Sequence, residues 1–240
     1  MVSSANIAKQ GTTRARKFRL LTKPLVVGAA HTVAGLRLAT KLGAEDLDVV
    51  EIRVDALLEH LQEIERVLPR IQRPVLLTVR HPVEGGIGSL PLGKRRELIA
   101  RFLPHAAFLD IELRSMEALG DQVAAAKAQG TTVVVSDHHF RRTPSLKEMQ
   151  AHQRKAFRAG ADVFKLAALL PGPREFARML EFAGRPSPRP RALMGMGTFG
   201  PVSRLALAQS GSVLNYGYLD EPNAPGQWDA RELKRLLSRV

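Results

Sequence analysis

The 240-residue chain contains no cysteine, which excludes disulfides, thiolate metal sites and a cysteine nucleophile. It has no apolar run near the roughly 18 to 20 residues of a membrane span. Its first residues lack the apolar centre and small-residue cleavage site of a signal peptide. A cytoplasmic protein with no membrane partner is therefore expected. Acidic residues are missing from the front of the chain, where Lys9, Arg14, Arg16, Lys17, Arg19 and Lys23 precede the first acid, Glu45. Part of the formal charge of +13 thus sits in a basic arm that can touch phosphates. The arm carries no series of interleaved aromatics for base stacking, so residues 1–22 read as a solvated leader and no nucleic-acid partner is expected. The rest of the positive excess is spread out and suits an anionic substrate. No Pro/Gly/Ser-rich linker divides the chain; "GRPSPRPR" is short and falls where a helix hands over to a strand. Residues 23–240 are long enough to bury a sizeable core and read as a single domain.

What is present is alternation. Short apolar, β-branched runs ("PLVVG", "LDVVEIRVD", "PVLLTVR", "AAFLDIEL", "TTVVVSD", "ADVFKLA", "RALMGMG" and "SVLNYG") are separated by stretches of helical period, such as residues 32–42, 94–102, 116–129, 145–159 and 202–209. The closing "DARELKRLLSRV" puts Leu233, Leu236, Leu237 and Val240 on one helical face. Near-continuous apolar strands imply a parallel sheet covered on both sides by crossover helices. Eight such units in this length predict an α/β fold, a (β/α)8 TIM barrel. The other arrangement, an open doubly wound sheet, lacks its glycine-rich phosphate fingerprint, since "VVGAAHT" after the first strand has only Gly28.

Barrel enzymes build their sites at the carboxyl ends of the strands, and here those ends are polar. Strand two ends in Glu51, Arg53 and Asp55 at alternate positions, hence on one side. Strand three ends in Arg80, strand four in Asp110 and Glu112, and strand five in Ser136, Asp137, His138 and His139. Carboxylates and arginines in barrels also pair structurally, and "EIRVD" alone fits either role. A metal held by Glu112, His138 and His139 is disfavoured, because adjacent residues of a strand point to opposite faces. The rarest feature is Lys165, set in the apolar "GADVFKLAALLPG". Such a lysine can snorkel to the surface. Alternatively it is an amine nucleophile, since burial and the positive charges of Arg53 and Arg80 favour the neutral form that attacks a carbonyl to give a Schiff base. A nearby histidine could then remove the acidified neighbouring proton and return it to a leaving group.

Taken together, "EIRVD", "LLTVRHPVEGG", "DIEL", "SDHHFRRTPS", "GADVFKLA", "MGMGTFGPVSRL" and "NAPGQW" occur in the order found in type I 3-dehydroquinate dehydratases, which the chain resembles from about Pro24 onward. The resemblance implies conversion of 3-dehydroquinate to 3-dehydroshikimate in the shikimate pathway, on the way to chorismate and the aromatic amino acids, with no metal or other cofactor, by a homodimer. It implies Lys165 as the Schiff-base lysine, His138 in the serine-x-histidine-x-phenylalanine pattern as the general acid/base, and Glu84 as the carboxylate that orients it. Glu51, Arg53 and Arg80 match substrate-binding positions, Arg204 the arginine for the substrate carboxylate, and Gln227 a residue of the closing loop. Met194, Met196, Phe140 and Tyr216 would form an apolar wall. Two departures stand out. Asn223 replaces the closing loop's usual serine, keeping hydrogen-bonding capacity, and Gly28 stands where relatives often carry a hydroxyl that contacts substrate. These departures point to slower turnover or a shifted substrate preference. A class I aldolase would use the same imine, but "MGTFGPVSR" offers an arginine clamp rather than a phosphate loop. A barrel that binds without turning over is the remaining alternative.

Overall fold

The computed structural model describes residues 21, 23–224 and 226–239; residues 1–20 of the basic leader lie outside the described residues. Among those described, eight strands alternate with eight helices. The strands are β1 (Leu25–Ala30), β2 (Val49–Arg53), β3 (Val75–Thr78), β4 (Phe108–Glu112), β5 (Thr132–His139), β6 (Val163–Leu169), β7 (Arg191–Met196) and β8 (Leu214–Tyr218). The helices are α1 (Val33–Ala39), α2 (Leu61–Val67), α3 (Leu92–Phe102), α4 (Gly120–Ala128), α5 (Leu146–Arg158), α6 (Pro173–Gly184), α7 (Gly200–Gln209) and α8 (Ala230–Leu237). All strand pairs are parallel, in the order β7-β6-β5-β4-β3-β2-β1-β8. Between β7 and β8 the ladder thins to one bridge, Arg191 with Ser212. The Ser212 hydroxyl mends the seam by accepting from the Leu193 N–H at 2.9 Å. The result is a nearly closed (β/α)8 barrel.

Side chains alternate along each strand, which splits the core in two. Outward residues such as Val50, Leu77, Ile111, Val135 and Phe164 pack under the helices. Inward residues such as Val27, Val49, Leu76, Phe108, Val134 and Val163 fill the barrel axis. Leu21, read from the sequence as part of the leader, packs with this inner group and is buried. One inward step further along the strands, the filling changes from apolar to polar: Glu51, Thr78, Asp110, Ser136 and Lys165 are all buried.

Local chemistry sets where the elements stop. β2 ends at Arg53 rather than continuing through "VD", because residues 54–56 turn into a 3-10 helix. α5 begins with a capping box between Ser145 and Glu148. α6 has Pro173 at its first position, where proline's missing N–H is not needed. The expected helix over 116–129 is shorter, beginning only at Gly120. In α8, Leu233 is buried with Leu236 and Leu237 partly covered; Val240 lies outside the described residues.

Candidate active site

The buried ion network begins at Lys165. Its Nζ donates to Asp110 Oδ2 at 2.9 Å and lies 3.9 Å from the centre of the Tyr216 ring. The other oxygen of Asp110 accepts from Arg80 Nη1 at 2.8 Å and from the Ser136 hydroxyl at 2.6 Å. Burial alone would raise the Asp110 carboxyl, but the positive charges of Arg80 and Lys165 outweigh it and hold Asp110 far below the usual carboxylate range. The sequence reading took Arg53 and Arg80 to act on Lys165. In the structure the Asp110 carboxylate stands between Arg80 and the lysine.

Arg80 also meets Glu112 Oε1 at 3.1 Å, and Glu112 Oε2 accepts from Arg95 Nη2 at 2.6 Å. Glu112 is therefore spoken for by two arginines and points away from any role as a metal ligand with His138. Arg95, on α3, is buried and further donates to the Val79 carbonyl and the Ser115 hydroxyl. On β2, Arg53 is held by a two-pronged pair with Asp55, at 3.0 and 2.8 Å, and donates to the Gly85 carbonyl. Glu51 accepts from the Thr78 hydroxyl at 2.8 Å.

His138 points inward from β5, and its Nδ1 lies 2.9 Å from Glu84 Oε2. Phe140 stacks beside the imidazole, ring centres 6.1 Å apart. Burial, reinforced by the positive charges of Arg80 and Lys165, holds the imidazole well below its ordinary value, so the ring is neutral and has a lone pair to offer. Burial also pushes the Glu84 carboxyl up to about 7, with Glu112 and Asp137 adding to the effect against Arg80 and Arg114. The neighbouring His139 points to the opposite face, as period-two alternation requires; its Nε2 lies against Asp137.

Arg204 on α7 is buried, donates to the Tyr216 carbonyl at 2.8 Å and leaves its Nε without a partner. Among the described residues it has no carboxylate, and burial pushes it down to about 10, which still leaves it charged at neutral pH. The Tyr216 hydroxyl is likewise buried without a hydrogen-bond partner. Tyr216 is thus more than the apolar wall read from the sequence, since it brings an unsatisfied donor to the same space.

These groups line a cavity of about 640 Å³, counted with its open mouth. Lys165, His138, Glu84, Glu51, Arg53, Arg80, Arg204, Met194, Met196, Phe140, Tyr216, Asn223 and Gln227 all reach it. Met194 and Met196 are buried in its wall, whereas Phe140 is half exposed at the rim. Asn223 is exposed, and its backbone N–H donates to the Gln227 side-chain carbonyl at 3.1 Å. Gly28 does not belong here. A Cβ at that position would meet Leu219 and Leu47 at 2.5 and 2.8 Å, so position 28 faces the outer packing, and no hydroxyl there could reach a ligand in the cavity. Two residues that the sequence left without a role, Asp110 and Arg95, complete the network.

Comparison with known proteins agrees with this fold. The family described as type I 3-dehydroquinase matches residues 25–240. The 3-dehydroquinate dehydratase of Methanosarcina barkeri is 38% identical over 216 residues, covering 84% of this chain and 87% of that one. The catabolic 3-dehydroquinate dehydratase of Acinetobacter baylyi is 29% identical over 265 residues, covering 100% and 97%. Among solved structures, the type I 3-dehydroquinate dehydratase of Clostridium difficile, with covalently modified comenic acid, superposes with a TM-score of 0.81 at 26% identity, covering 90% of this chain and 92% of that one.

Proposed function

The chain belongs to the type I 3-dehydroquinase family, and from that premise we propose which of its residues carry out the dehydration of 3-dehydroquinate to 3-dehydroshikimate. Lys165 adds to the substrate ketone and loses water to give an imine. The imine withdraws electrons, and neutral His138 removes the proton from the adjacent carbon to give an enamine. The enamine expels the β-hydroxyl, which takes the proton from His138 and leaves as water. Hydrolysis of the imine frees the product and restores the amine. The lysine thus supplies the electron sink that other lyases take from a cofactor. Family membership favours dehydration over the aldolase alternative, and a barrel that binds without turning over would be exposed by absent turnover of 3-dehydroquinate.

The observation that carries this reading is one cavity holding a buried amine, a buried neutral imidazole oriented by a carboxylate, and a buried guanidinium without a counter-ion. Asp110 shares its charge among Arg80, Ser136 and Lys165, so it holds the amine in place without having its full charge to give to it. Glu51, Arg53 and Arg80 face the substrate's hydroxyls, Met194, Met196 and Phe140 its apolar ring faces, and Asn223 and Gln227 close over it. The test is borohydride trapping. Incubation with 3-dehydroquinate and borohydride should leave a covalent adduct on Lys165 by mass spectrometry, and folded protein that forms none contradicts the assignment.

Arg204 is assigned to the substrate carboxylate, a pairing that guanidinium geometry suits. Losing one partner of a buried charge pair costs roughly 2–5 kcal/mol. Arg204→Met should therefore lower kcat/KM by about 10²-fold or more, chiefly through KM, in steady-state assays; an unchanged KM would place the carboxylate elsewhere.

No helix among the described residues is long and apolar enough to cross a membrane. The family resemblance further supports a cytoplasmic homodimer. Light scattering should then return twice the 26.3 kDa chain mass, and a monomer mass would rule the dimer out.

A further inference from the structure

The outer face of β5 carries a second cluster that the dehydration does not use. Asp137 and His139, two residues apart, project outward on either side of the inward-facing His138 and meet His152 of α5. Both His139 Nε2 and His152 Nδ1 converge on Asp137 Oδ2, at 2.9 and 2.7 Å, and the three ligand atoms all lie within 4.8 Å of one another. The imidazole rings stack at 5.8 Å with an interplanar angle of 13°. Their side chains are 16%, 12% and 34% exposed for His139, Asp137 and His152, so water and ions can reach them.

We propose that Asp137, His139 and His152 form a binding site for a divalent cation of the zinc class, on the outer face of the barrel between β5 and α5. Two imidazoles and a carboxylate are the donor set of many three-ligand zinc sites, which leave a fourth position for water. Bonds of about 2.0–2.1 Å in a tetrahedron place ligand atoms roughly 3.3 Å apart. The two nitrogen–oxygen separations, 2.9 and 2.7 Å, are on the short side of that spacing, and the two nitrogens lie within 4.8 Å of each other, so side-chain adjustments that spread the carboxylate from the imidazoles would admit an ion. Two of the ligands stand on β5 where it is paired with β6, Asp137 with Leu166 and His139 with Ala168, which holds them ready. Arg142, whose charge reaches Asp137, is clamped by Glu148 through bonds of 3.0 and 2.7 Å and is thereby neutralised as a competitor. The site differs from the Glu112, His138 and His139 combination, whose members point to different faces.

Calorimetric titration of the full chain with Zn²⁺ tests the site. One ion per chain is expected, with His152→Ala and Asp137→Asn each weakening binding at least about tenfold, since even outer-shell partners of metal ligands are worth that much. Zn²⁺ should also raise the melting temperature of the wild type but not of His152→Ala, because only the folded state offers the site. Lys165→Ala should bind the ion as the wild type does, which separates this site from the dehydration chemistry. Absence of binding by the wild type, or unchanged affinity in either ligand variant, would overturn the proposal.

Discussion

Lys165→Ala is expected to lower kcat by about 10⁴-fold or more, on the order of the loss when a covalent nucleophile is deleted from a cooperating set. The reason is specific to the buried network. Without the amine there is no imine, and nothing else in the cavity can withdraw electrons from the carbon that must be deprotonated. The rate is followed through the ultraviolet absorbance of the conjugated product. Folding should survive the change, because Asp110 keeps Arg80 and Ser136 as partners and so is not left as an unpaired buried charge. The variant should also lose the borohydride adduct. A variant that retains near-wild-type turnover would remove the lysine from the mechanism.

His138→Ala should cost about 10²–10⁴-fold in kcat, the usual worth of a positioned general acid/base. It should still form the imine, so the adduct on Lys165 persists while turnover fails; loss of both would instead assign the histidine to imine formation. Glu84 ties this step to pH. With its carboxyl pushed up to about 7, Glu84 is a carboxylate above that pH and accepts the Nδ1 proton, which leaves the far nitrogen of His138 free to take the substrate's proton. Below it, the protonated carboxyl donates to Nδ1, and the far nitrogen carries the hydrogen and cannot act as base. The pH profile of kcat/KM should accordingly fall on the acid side with an apparent pKa near 7, and Glu84→Gln should both lower the profile and abolish that limb. The same shift has a stability consequence. Between the unfolded value and about 7 the folded chain holds a proton that the unfolded chain has released, so stability falls as pH rises through this window, by an amount on the order of 3 kcal/mol at most.

The barrel was legible because its strands are short, apolar and β-branched and their ends are polar at alternate positions. Period two put Glu51 and Arg53 on one side of their strand, the polar strand ends put Arg80 and Lys165 at the same mouth, and the resemblance chose His138 over His139. What the pattern could not supply was partnership. Asp110 was visible as an inward acid, yet nothing in "DIEL" says that it meets a lysine two strands away. Arg95 sits in "GKRRELIA", which reads as a solvated helix face. Its signal was that it shares a face with Leu98, Ile99 and Phe102, all buried, at the three-, four- and seven-residue spacing of a core stripe. Gly28 was misplaced because matching by motif aligns positions without saying which way a Cβ points. The shortened front of α4 reflects Leu119, whose φ of −110° and ψ of 25° lie outside the helical range and interrupt the helix just before Gly120.

The alternation along β5 gives the register of that strand a chemical meaning. Ser136 is matched with Glu112 on one side and Lys165 on the other. A slip of one residue would turn every side chain over. Asp137 and His139 would then enter the cavity beside the lysine, and His138 would face α5, so the base and the cation ligands would trade places without any change in composition. The ladder hydrogen bonds that prevent this slip, although they touch no substrate, determine which histidine performs the chemistry.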